Sequence, residues 1–200
     1  MKQVFYLLFI VFVSGCSQEK QKIQGETDFQ RKINAEFKDA TTSPLKDKDR
    51  KNFSGLDFFK FDLAYVVTAT LKRTPGSEWF KMKTTTSRVS NERVYGVLSF
   101  ELKGENYELN VYQGEELMKK KGFEDYLFLP FLDDTNGDNT YGGGRYIDLR
   151  IPNGDTIVID FNKAYNPYCA YNDKYSCPIV PRVNYISTKV KAGVKAFEKH

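Results

Sequence analysis

Histidine is almost missing from this 200-residue chain: the single one is His200, the last residue. Chain ends fray unless something ties them down. A Ser-His-Asp triad, a Cys-His dyad or a histidine-rich zinc site each needs an ordered imidazole. All three are therefore excluded, which leaves only carboxylate, tyrosine, lysine, arginine or cysteine chemistry and tilts the reading away from an enzyme. Tryptophan is equally scarce, with Trp79 alone, and cysteine is limited to Cys16, Cys169 and Cys177. No segregated block of one charge exists. The net charge is +4, and basic and acidic residues are interleaved. The only basic run, Lys119-Lys120-Lys121, reads as a solvated helix face, and no nucleic-acid partner is expected. No long hydrophobic run occurs either. The apolar stretch Val4 to Val13 is about half the roughly 20 residues that a membrane-spanning helix needs.

That short run follows Lys2 and ends in Val13-Ser14-Gly15-Cys16. A positive start, a short apolar region and small residues before a cysteine form an export signal. The segment resembles the bacterial lipobox, an aliphatic residue and small residues before cysteine. The resemblance implies cleavage before Cys16, lipid on its thiol and a location in the cell envelope outside the cytoplasm, with the membrane as partner through that anchor. Residues 1–15 are then the signal peptide, 16–28 a polar tether from the lipidated cysteine, and 29–200 one globular domain. A chain of that length can bury a sizeable core.

What the chain has in abundance is tyrosine and phenylalanine, 13 and 16 residues. Phe29, Ile33 and Phe37 recur at helical spacing, with Asp28 placed to cap. From Phe59 to Leu71 the period changes to two, the mark of a half-buried strand. Further strands are expected at Glu78–Thr86, Val94–Leu102, Tyr107–Val111 and Tyr126–Leu132, where Pro130 suggests an edge or a bulge. A short helix is expected over Gly114–Lys121. Tyr146–Ile151 and Thr156–Phe161 flank Asn153-Gly154, a hairpin signal. Ile186, Val190, Val194 and Phe197 suggest a final helix, capped by Asn184. The expected class is α+β: a mainly antiparallel sheet of about seven strands, barrel- or sandwich-like, with N- and C-terminal helices.

Residues 131–181 concentrate Gly, Asn, Asp, Tyr and Arg. The first block holds Asp133, Thr135, Gly137, Thr140, Tyr141, Gly142, Gly144, Arg145 and Tyr146. The second holds Asp160, Phe161, Asn162, Ala164, Tyr165, Asn166, Pro167, Cys169, Ala170 and Tyr171, followed by Cys177-Pro178. This pattern resembles the bacterial and archaeal family of unknown function numbered 1684. The chain departs from that pattern at Tyr168 and in Ala192-Gly193-Val194-Lys195. The resemblance implies membership and no activity.

Read as chemistry, the blocks suggest a cleft that takes a small polar or anionic ligand. Its residues would be Asp133, Thr135, Thr140, Tyr141, Arg145, Tyr146, Asp160, Asn162, Tyr165, Asn166 and Tyr171. Arg145 would clamp an anionic group through its planar fork, or else pair with Asp160 and hold the hairpin. In the enzymatic alternative Asp133 or Asp160 is acid or base and Arg145 stabilises charge. A structural envelope protein is the third reading. Asp134, Asn136 and Asp138 alternate as in calcium loops, but the expected glycine and closing glutamate positions hold Asn139 and Arg145, so an Asx-rich turn without cofactor is favoured. Cys169 and Cys177, in an oxidising compartment, are expected to form a disulfide.

Overall fold

The computed structural model describes residues 25–197. The expected leader, Cys16 and most of the expected tether lie outside the described residues.

Helix α1 (Asp28–Lys38) buries Ile33 and Phe37, the stripe its periodicity demands. Burying each such side chain contributes about 1.5–3 kcal/mol. Its cap is Thr27 rather than Asp28. The Thr27 hydroxyl accepts from the Gln30 N–H and the Gln30 side chain accepts from the Thr27 N–H, both at 3.2 Å. Two orphan donors are thereby satisfied reciprocally. A short helix α2 (Asp47–Lys51) follows.

The body is one eight-stranded sheet curled into a half-barrel. Its strands are β1 (Val66–Arg73), β2 (Phe80–Lys83), β3 (Val89–Leu102), β4 (Glu105–Gly114), β5 (Tyr126–Asp133), β6 (Arg145–Arg150), β7 (Thr156–Asp160) and β8 (Tyr185–Ile186). Helix α3 (Glu115–Met118) lies between β4 and β5. The order is β6-β5-β4-β3-β1-β7, with β2 beside β3 and β8 parallel to β5. The expected antiparallel α+β architecture is borne out.

Four local expectations are corrected. The strand foreseen from Phe59 begins only at Val66, because Asp62 accepts from the Ala64 N–H at 2.9 Å and starts a 3₁₀ turn at Leu63–Tyr65. Residues 151–155 do not join a hairpin, since β6 and β7 pair with β5 and β1 at opposite ends of the strand order. Curling brings these edges within reach of one short loop. Strand β5 is not an edge. Where Pro130 has no N–H to offer, the Asn184 side chain substitutes for the ladder, donating to Pro130 O at 2.7 Å and Asn110 O at 2.8 Å and accepting from Asn110 N–H at 3.0 Å. Asn184 is thus a strand bridge and not a helix cap. No helix follows it among the described residues. Val190, Ala192 and Val194 are buried in irregular chain, and Phe58 bridges Val194.

The inner face packs Leu98, Leu109, Val111, Leu127, Leu129, Phe131, Ile147 and Leu149. A bulge in β3 then matters for function. Val94 lies opposite Tyr112, but Gly96 lies opposite Val111. One extra residue therefore turns the side-chain alternation over, so that Glu92, Val94 and Tyr112 share the outer face. There a second cluster forms from Met82, Tyr112, Phe128, Tyr146 and Val180.

Candidate functional site

Successive residues on a strand point to opposite faces. On β6 this separates two neighbours that the sequence had placed in one cleft: Arg145 points inward and Tyr146 outward. Each side of the sheet holds a different constellation.

Inside, Arg145 is completely buried. Its guanidinium donates to Asp133 Oδ1 at 3.0 Å, to Val190 O at 2.8 Å and to Ala192 O. Asp133 Oδ2 accepts from the N–H groups of Thr135 at 3.1 Å and Val190 at 2.8 Å and from the Thr135 hydroxyl at 2.8 Å. Thr140 closes the network through its hydroxyl contact with Thr135 at 2.8 Å. Burial pulls the arginine pKa downward while the Asp133 carboxylate opposes it. Every one of these side chains is enclosed, so this constellation ties the C-terminal segment to the sheet and presents nothing to a ligand. The partner of Arg145 is Asp133, not Asp160.

The second block divides similarly. Asp160 accepts from the Asn162 N–H at 3.0 Å and pairs with Lys163 at 3.6 Å. Asn162 grips both backbone groups of Asp62, each at 3.0 Å. Asn166 donates to Lys195 O at 2.8 Å and to the Tyr171 hydroxyl at 3.2 Å, and Tyr171 is enclosed. These are joints between chain segments. The acidic loop is likewise self-satisfied: Asn136 accepts from the Asp133 N–H at 2.8 Å, Asp134 bonds the Tyr185 hydroxyl, and Asp138 lies 3.7 Å from Lys189. Among the described residues no three His, Cys, Asp or Glu side chains gather into a group suited to a metal ion.

Outside, Tyr146 and Tyr165 meet edge to face, ring centroids 5.9 Å apart, and their backbones pair. The segment after β7 is thereby laid across the start of β6. Two positions beyond Tyr146 on the same face, Asp148 Oδ1 accepts from the hydroxyls of Tyr126 at 2.7 Å and Tyr165 at 2.6 Å. Burial, with the Asp148 charge nearby, pushes both phenols far above their ordinary values, so they remain donors. Over this face α1 closes a cleft of about 530 Å³. Its walls are Phe29, Ile33 and Phe37 from α1, then Tyr146, Tyr165, Pro167, Tyr168 and Tyr175. Lys32, Glu36, Asp148, Lys163 and Ser176 supply the polar groups.

Cys177 lines the same cleft. Both thiols are free, with the Cys169 N–H donating to Cys177 Sγ at 3.2 Å. The Tyr141 hydroxyl lies 3.9 Å from Cys169 Sγ. Hydrogen bonding from Cys177, reinforced by Tyr141, draws the Cys169 thiol down to about 6 and pushes Cys177 up.

Of the eleven candidate ligand residues, Tyr146 and Tyr165 line the cleft; Tyr141 stands behind it against Cys169. Sequence reasoning missed Asp148, Tyr126 and the part played by α1. Asp148 was within reach, since it stands two residues from Tyr146 and so shares its face. The α1 wall is a tertiary contact with no local signal.

The comparisons agree with this picture of a fold without an assigned chemistry. None of the curated proteins matches. An uncharacterized protein of Haloarcula marismortui, solved by solution NMR, shares 34% identity, with 86% of this chain and 92% of that chain covered and a TM-score of 0.67. The profile described as "Protein of unknown function (DUF1684)" matches residues 51–195, well over half of the length, and the chain belongs to that family.

Proposed function

We propose that this protein is a lipid-anchored envelope protein whose domain binds a small amphipathic ligand in the cleft between α1 and β6. The observation carrying the reading is the aromatic lining itself. Phe29, Phe37, Tyr146, Tyr165, Tyr168 and Tyr175 surround a volume of about 530 Å³, within the range of small-molecule sites. Asp148, held by two phenols on one oxygen, is preorganised to receive a donor on the ligand. The anionic preference rested on Arg145 and falls with it; Lys32 and Lys163 remain as cations at the rim. No helix among the described residues is long and apolar enough to cross a membrane; the attachment proposed is through lipid on Cys16. Acyl chains contribute about 0.8 kcal/mol per buried methylene.

The test is native mass spectrometry of the chain extracted from membranes. A bound small molecule is expected, lost in Tyr168→Ala; the residue is 40% exposed, and circular dichroism of the variant is expected to match the wild type. An empty protein, or an adduct that survives Tyr168→Ala, refutes the cleft. On denaturation the chain is expected to carry diacylglycerol mass, absent in Cys16→Ser. Oxidation of Cys169 and Cys177 is expected to make the mass two hydrogens lighter. The closed loop stabilises the domain by about 2.5 kcal/mol in the entropy model; equal melting of reduced and oxidised forms would count against it.

A further inference from the structure

Tyr146 and Tyr165 have two sides. One faces the cleft under α1; the other faces a separate chamber of about 390 Å³ between β3, α3 and β5. At its floor is Glu92, only 6% exposed. Glu92 Oε1 accepts from the Ser90 hydroxyl at 2.5 Å. Glu92 Oε2 is buried and has no partner. The opposing strand position is Gly114, where a Cβ would stand 3.1 Å from both carboxyl oxygens. The missing side chain at that position makes the room in which the carboxyl lies.

A buried carboxyl oxygen without a partner is disfavoured, and a buried carboxylate calls for a counter-charge. No cation among the described residues forms an ion pair with Glu92, and Lys120 lines the chamber without pairing with it. Arg88 donates to Ser176 O at 2.8 Å. Arg93 is bonded to the Gln113 side chain and stacked over Trp79 at 5.1 Å. The chamber is also lined by Leu117, Tyr126 and Phe128; the two rings offer the π-density that attracts a cation, and Leu117 offers an apolar surface.

We propose that this chamber is a second binding site, which takes the ammonium group of a small aryl- or alkylamine: Glu92 Oε2 receives the N–H and the aromatic wall encloses the carbon body. Burial holds the Glu92 carboxyl above the ordinary carboxylate range, against a smaller lowering by Ser90 and Arg88, as befits an acid short of a cation. The site is separate from the cleft under α1 and stands whether or not that cleft is filled.

The experiment is methyl NMR of the full chain in detergent, observing Leu117 and Val89, titrated with benzylammonium and, separately, with the neutral benzyl alcohol. Benzylammonium is expected to shift both signals and the alcohol to leave them nearly unmoved. E92Q is expected to weaken the amine about tenfold or more, roughly the loss of one charge-assisted hydrogen bond. Tyr168→Ala is expected to leave its affinity unchanged, which separates this site from the first cleft. Equal response to amine and alcohol overturns the proposal without recourse to any variant. So does absence of binding, wild-type affinity in E92Q, or loss of the amine in Tyr168→Ala.

Discussion

Replacing Arg145 with methionine separates a scaffold from a site. The substitution keeps an unbranched apolar stem and removes the guanidinium with its charge. It leaves Asp133, 3% exposed, with a charge that no longer has its counter-ion, and it strips the carbonyls of Val190 and Ala192 of their donor. Removing one partner of a buried pair costs about 3–5 kcal/mol, a large share of the roughly 5–15 kcal/mol that holds a domain together. With a urea slope of about 2 kcal/mol/M, the midpoint should fall by roughly 2 M while the slope stays constant. The assay is urea unfolding followed by circular dichroism. Arg145→Lys should recover only part of the loss, because one ammonium cannot reach a carboxylate and two carbonyls in the arrangement that the planar guanidinium spans. A cost below about 1 kcal/mol, accompanied by loss of ligand, would refute the reasoning and return Arg145 to the binding cleft.

Two further outcomes follow from the same packing. Gly193 has φ +77°, and a Cβ there would meet Ala164 O at 2.4 Å; Gly193→Ala should destabilise by about 2–4 kcal/mol in thermal unfolding, and an unchanged melting temperature would show that the C-terminal segment lies differently. Glu92 titrates higher in the folded than in the unfolded chain, so the folded state binds the extra proton and stability falls as pH rises from the unfolded pKa through the folded one. E92Q should flatten that decline and be the more stable form at neutral pH, as pH-dependent melting curves will show; a steeper decline in E92Q would contradict the burial.

The periodic elements were legible: α1 from its apolar stripe, β3 and β4 from alternation and the turn between them. The failures have physical causes. Ile186, Val190 and Val194 are spaced by four, but that spacing only marks positions that are buried, and the sequence offered no sign that the carbonyls of Val190 and Ala192 would be needed by Arg145. Asn153-Gly154 announced a reversal correctly, but a turn signal does not say whether the strands it joins will pair or will close the two edges of a curled sheet. The candidate site was half legible. Motif reading grouped Arg145 with Tyr146, whereas the two-residue period of a strand sets them on opposite faces. Glu92 was invisible because its burial depends on a bulge in β3 and on a glycine in the next strand. The α1 wall of the cleft precedes the residues 51–195 matched by the family, so family motifs carry no information about it.

The Arg145 network also dictates when the domain can finish folding. Its ligands on the C-terminal side, Val190 and Ala192, lie 45 and 47 residues beyond the arginine, and Val194 pairs with Phe58 and shares its buried cluster. In chain order, every strand of the sheet precedes these partners. Arg145 and Asp133 must stay hydrated until then, because the interior cannot close on an unsatisfied guanidinium and carboxylate. Commitment to the compact state is thus deferred until residues 190–194 are present, and a chain lacking them would remain open to chaperones and proteases.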